Sequence, residues 1–96
     1  GLDDAIVIDL HAEQILDTTA GMNAGDILEY QLKIFRDTIK QYAGQKGQKL
    51  IFIHGKGAGV LRRAIINELT YKYKNYTYQD ASFQEYGYGA TLVTIK

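Results

Sequence analysis

The hydrophobic pattern changes period several times along the chain. Residues 5–10 are an apolar, β-branched run and read as a short buried strand. Residues 11–25 carry Thr18, Thr19, Gly21, Asn23 and Gly25, a loop composition with room for one helical turn at its start. From Asp26 the period becomes helical: Leu28, Leu32, Phe35, Ile39 and Tyr42 fall at alternating spacings of four and three, along one face. Asn23 or Asp26 suits the start of this helix, and Gly44 suits a left-handed residue after its end. Residues 45–48 read as a turn. Residues 49–54 are hydrophobic almost throughout, as in a strand covered on both faces.

Glycines at 55, 57 and 59 follow, and Leu61, Ala64, Ile65 and Leu69 then mark a second amphipathic helix. Tyr71 and Tyr73 are expected to end it. Residues 76–83 and 91–95 read as two closing strands around a turn at 85–89, with Tyr76 and Tyr78 on one strand face. The order β-α-β-α-β-β predicts an α/β fold, an α+β two-layer sandwich with two helices on a four-stranded mixed sheet. Right-handed crossovers make the first pairings parallel.

Length and composition narrow the class. The chain has 96 residues, 46% of them hydrophobic and 23% charged, which fits one small globular domain spanning residues 1–96. It opens on Gly1, so we expect a domain excised from a longer protein, with the rest of that chain as one partner. No apolar run exceeds four residues, which excludes a membrane-spanning helix. With no cysteine there is no disulfide, thiolate metal site or cysteine nucleophile, and a reducing, cytoplasmic location is expected.

The net charge is zero but unevenly spread. Residues 1–29 hold seven acids (Asp3, Asp4, Asp9, Glu13, Asp17, Asp26 and Glu29) and no Lys or Arg. Residues 30–74 hold ten bases against Asp37 and Glu68. A polyanion partner is therefore compatible with the neutral total, because binding depends on local patches. A solvated, salt-bridged surface is the simpler reading of charge alone.

Two stretches carry chemistry. Asp9 and His11 close the first strand, where alternate residues share a face; Glu13 would join them if the strand continued. A carboxylate beside an imidazole can orient it for general acid–base work, and the trio could hold a hard divalent cation. Alternatively Asp9 caps a loop and His11 is a satisfied polar residue. The second stretch runs from His54 through Gly55, Lys56, Gly57 and Gly59 into the second helix. Such glycines let backbone N–H groups converge on an anion at a helix start, with Lys56, Arg62 and Arg63 beside it. No Walker A loop can be drawn, and Val60 stands where a dinucleotide fingerprint needs its third glycine. A tight strand-to-helix turn would need only one or two glycines. Both stretches follow carboxyl ends of strands, where open α/β sheets bind ligands. The Tyr71–Tyr78 region interleaves tyrosines with Lys72 and Lys74, more simply helix end and strand than a stacking surface. Gly87 and Gly89 before the last strand can admit a ligand or another backbone.

Ile-Asp-Leu-His at 8–11, His-Gly-Lys-Gly-Ala-Gly-Val-Leu-Arg at 54–62 and Gly-Tyr-Gly-Ala-Thr-Leu-Val at 87–93, in this order, resemble the Smr (small MutS-related) domain. The resemblance implies two helices on a four-stranded sheet, similar to the carboxy-terminal domain of translation initiation factor three. It further implies binding to the backbone of DNA or RNA, structured or branched, with DNA-nicking or RNA-cleaving activity in some members. By resemblance, Asp9 and His11 occupy the motif implicated in cleavage, and His54, Gly55, Lys56 and Gly57 the glycine-loop motif, with Gly59 in the same loop and Arg62 following. No resident cofactor or metal is implied with certainty, and a role for Mg²⁺ stays open. The chain departs from the family at Ala12, usually glycine, and in a longer acidic segment before the first helix. A non-catalytic interaction module on the same scaffold is the alternative, and a small-molecule phosphate binder is a third reading that leaves Asp9 and His11 unexplained.

Overall fold

A computed structural model of the chain describes residues 4–96; Asp3, counted among the amino-terminal acids, lies outside them. The elements run β1 (Ile6–Asp9), α1 (Ala12–Ile15), α2 (Ala24–Tyr42), β2 (Lys49–Ile53), α3 (Val60–Tyr71), β3 (Thr77–Asp80), α4 (Phe83–Tyr86) and β4 (Ala90–Thr94). The strand order is β1-β2-β4-β3. β1 and β2 are parallel, and β4 lies between β2 and β3, antiparallel to both. The expected α+β two-layer fold on a mixed sheet is the one observed.

Alternation along the strands divides the sheet into two faces. Ile6, Ile8, Leu50, Phe52 and Val93 face α2 and α3, where they meet Leu32, Phe35, Ile39, Leu61, Ile65 and Leu69 in the main core. Phe35 sits against Phe52 edge-to-face at 4.8 Å and against Tyr73 at 6.1 Å. The other face holds Ile51, Ile53, Ala90 and Leu92, covered at one end by Ala81 and Tyr86. Glu68, only 5% exposed, joins the helices: Arg36 Nε donates to its Oε1 at 2.8 Å and Arg36 Nη2 to its Oε2 at 2.7 Å. Arg36 Nη1 also reaches Glu29, so the acidic amino-terminal segment and the basic centre are partly joined inside the domain.

Several local expectations are corrected. Only β1–β2 is parallel, because β3 crosses to the far edge and β4 returns between. The third strand stops at Asp80 instead of continuing to 83, since Phe83–Tyr86 forms a helical turn where a strand end and turn were expected. α3 ends at Tyr71, and Tyr73 and Tyr76 stack on each other at 5.9 Å and pack against the core, so Tyr76 precedes β3 and only Tyr78 lies in it. Gly44 does not take the left-handed conformation after α2; Gly47 does, at φ 89°, with its N–H donating to the Ile95 carbonyl. Among the described residues, no helix is long and apolar enough to cross a membrane.

Candidate functional site

The topology gathers one set of chain ends along one sheet edge. Asp9 pairs with Ile53, Ile53 with Ala90, and Asp80 with Thr91, so the carboxyl ends of β1, β2 and β3 and the start of β4 lie together. The starts of α2 and α3 reach the same place: Ala24, Leu28 and Gln31 line a cavity of about 270 Å³ with His54, Gly55, Gly57, Gly59 and Arg62.

His11 and Asp9 form the pair that their spacing suggested. Asp9 Oδ1 accepts from the His11 backbone N–H at 2.9 Å and lies 2.7 Å from His11 Nδ1. Both side chains are about two-fifths exposed, at 39% and 42%, so the ring is held yet open to solvent. The Gln31 side-chain amide donates to the Leu10 carbonyl at 2.9 Å and fixes the chain between them. A carboxylate on Nδ1 favours the tautomer with its hydrogen there, which leaves the Nε2 lone pair free. Nε2 faces the glycine loop: a Cβ built on Gly55, whose φ is 84°, would come within 2.9 Å of it. Position 55 thus needs glycine twice over, for its conformation and for the space the imidazole occupies.

Glu13 does not join the pair. The strand ends at Asp9 and the chain turns at His11 into α1, so the alternation stops. Among the described residues, no three His, Cys, Asp or Glu side chains gather in a metal-binding arrangement. The same turn accommodates Ala12, which is the first residue of α1 and has no positive φ, so nothing at this position demands glycine.

The second stretch separates into different jobs. His54 is half-buried with both ring nitrogens engaged, Nδ1 with the Gly55 carbonyl at 3.1 Å and Nε2 with Thr91 Oγ1 at 2.9 Å. Burial holds its pKa below the usual 6.5, assisted by Arg62 and His11 and opposed by the Gly55 carbonyl and Asp80. It bridges from the end of β2 to Thr91 of β4 and also lines the cavity shared with the glycine loop. Arg63 Nη1 donates to the Ala58 carbonyl at 2.9 Å and braces the loop. Arg62 Nη2 donates to Asp80 Oδ1 at 3.1 Å, an exposed pair that a stronger anion can displace. Lys56 has no ion pair among the described residues, and its stem lies over Gly87, where a Cβ would meet Cε at 2.8 Å. Gly59 precedes α3, and no side chain caps that helix. Its first-turn N–H groups therefore face the loop beside Lys56 without a side-chain acceptor.

The backbone approach expected at Gly87 and Gly89 occurs at Gly89, whereas the helical turn α4 beside it was not expected. The His54 and Gly55 backbone N–H groups both donate to the Gly89 carbonyl, at 2.9 and 3.0 Å, and a Cβ on Gly89 would lie 3.4 Å from the Gly55 backbone. This contact brings α4 beside the site, and Glu85 and Tyr86 line a cavity of about 470 Å³ with His11, Gly55 and Lys56. The glycines at 87 and 89 were the available signal, and they mark a backbone approach.

No curated protein matches the chain. The family model of the Smr domain matches residues 22–96, a span that includes the glycine loop and residues 83–89 and leaves Asp9 and His11 before it. The chain belongs to the Smr domain family.

Proposed function

We propose that this domain binds the phosphodiester backbone of nucleic acid and cleaves it, with His11 as the proton-transfer group. The observation that carries the reading is the position of His11 Nε2, oriented by Asp9 from behind and facing the glycine loop at the uncapped start of α3. Family membership and the neighbouring Lys56 support a nucleic-acid partner.

Lys56 and the amides of the loop and the first turn of α3 would hold the phosphoryl oxygens, the amides through the helix-start potential and Lys56 as a point charge. Arg62, released from Asp80, adds a bidentate contact. A water oxygen then attacks phosphorus while Nε2 takes its proton, and the bond from phosphorus to the leaving oxygen breaks. The imidazolium returns the proton to that oxygen, and Asp9 stabilises the charged ring between the two transfers. Developing charge on the phosphoryl group meets donors already in place. His54 acts through position only, by tying β2 to β4 beneath the loop.

The test is cleavage of end-labelled branched DNA and structured RNA, with and without Mg²⁺, by the wild-type domain and His11→Ala, both shown to be folded. Loss of general acid–base catalysis predicts a rate about 10²- to 10⁴-fold lower in the variant. Equal rates would remove His11 from the chemistry. No cleavage by the wild type would favour the non-catalytic interaction module on this scaffold.

A further inference from the structure

Phe83 and Tyr88 are large rings left in solvent, 61% and 71% exposed, although Tyr86 between them is partly buried against the sheet. Their centroids are 4.8 Å apart with planes inclined at 56°, so they are an exposed aromatic pair in which Phe83 braces the Tyr88 ring. The pair is held in place. The Tyr86 and Gly87 N–H groups donate to the Ser82 and Phe83 carbonyls at 2.9 and 2.8 Å, Gly89 is bonded to the glycine loop, and Gly87 lies against the Lys56 stem. Tyr88 lines a cavity of about 250 Å³ with Gly55, Lys56, Gly57, Gly59 and Arg62. Asp80 lines it too, paired with Arg62, so the walls are an aromatic ring, the cation of Lys56, the Arg62–Asp80 ion pair and backbone amides.

We infer that Phe83 and Tyr88 are a stacking platform for an unpaired base, so that the substrate is single-stranded nucleic acid or the unpaired part of a structured one. The inference rests on the phosphate-binding reading of the glycine loop and specifies its substrate class. A phosphate on the loop puts the attached nucleoside beside the Tyr88 ring. In a duplex the bases are already stacked inside the helix and present no face to the protein, whereas an unpaired nucleotide offers its base to an aromatic side chain. Stacking is indifferent to base identity, so the platform selects for strand state more than for sequence.

The experiment is equilibrium binding of the domain to a labelled oligo(dT) or oligo(rU) strand, and to the blunt duplex formed with its complement, across a range of salt. The wild type is expected to prefer the single strand. Tyr88→Ala is expected to weaken single-strand binding about 5- to 150-fold with an unchanged salt slope, while Tyr88→Phe keeps the affinity. Phe83→Ala should act in the same direction. Lys56→Ala serves as the control, lowering affinity for every strand and flattening the single-strand salt slope by about 0.7. If Tyr88→Ala and Phe83→Ala bind like the wild type while Lys56→Ala flattens the slope, the platform is overturned and the phosphate site stands. Equal losses on strand and duplex in Tyr88→Ala also overturn it. If Lys56→Ala leaves the slope unchanged, the phosphate reading fails and the platform with it.

Discussion

At the start of α2, Asn23 Oδ1 accepts from the Asp26 N–H at 2.8 Å and Asp26 Oδ2 accepts from the Asn23 N–H at 3.1 Å, a reciprocal capping box. At the start of α3, about the same cavity, Gly59 stands where the capping side chain would be, and the next residues are Val60 and Leu61. α2 engages two amides at its own start and adds a carboxylate to its positive end, so it offers an anion less than α3 does. α3 keeps its amides and its potential uncompensated, with Lys56, Arg62 and the His11 ring nearby. Two equivalent positions of a small domain thus differ in what they leave available: the closed helix start contributes stability, and the open one leaves its amides unpaired by side chains.

Substitutions can break this contrast in a graded way. The largest effect is expected from Gly55→Ala, which forces an L-residue into a left-handed conformation and pushes a Cβ onto His11 Nε2. It should cost about 1–2 kcal/mol in chemical denaturation and should lower cleavage as well, since the imidazole must move. Retention of both stability and activity would show that the loop and His11 are not closely packed. Asn23→Ala at the closed start should cost about 1 kcal/mol and leave nucleic-acid affinity unchanged, separating stability from function at the two helix starts. A loss of affinity in that folded variant would mean that α2 also takes part in binding.

The smallest effect is the pH response of His54. Its folded pKa lies below 6.5 because burial disfavours the charged ring, so the unfolded chain binds more protons between the two values. The resulting stability is complete above pH 6.5 and declines as pH falls from there towards the folded value. Unfolding midpoints of the wild type should therefore drop more steeply in that window than those of His54→Gln. Parallel curves would place the effect elsewhere, and a change in cleavage without one in stability would give His54 a part at the site beyond positioning.

Much of the candidate site was legible because its parts are local. Asp9 and His11 are two residues apart at a strand end, so one carboxylate oxygen can reach both the backbone and the ring of the other. The glycine loop was legible because three glycines and a lysine directly before a helix serve few other purposes. The long helix was legible from its period, with its start narrowed to Asn23 or Asp26; the structure uses both, Asn23 as the cap and Asp26 as its reciprocal partner. Other features were not. Nothing near Arg62 indicates that Asp80, eighteen residues away, would pair with it. The helical turn at residues 83–86 was hidden in a strand-like pattern, because four residues are too few to show a helical period.

Local pattern was enough for the order of the strands and of the two long helices, the core face of each of those helices and the residue types available for chemistry. These follow from local periodicity, steric preference and side-chain identity. The tertiary structure alone decided which of those residues meet. Placing β4 between β2 and β3 puts Gly89 under Gly55, carries Tyr88 to the glycine loop and sets His54 between strands. That choice depends on burying both the helix-facing side chains and the smaller cluster of Ile51, Ala81 and Ala90 at once, a cooperative requirement that no single segment encodes.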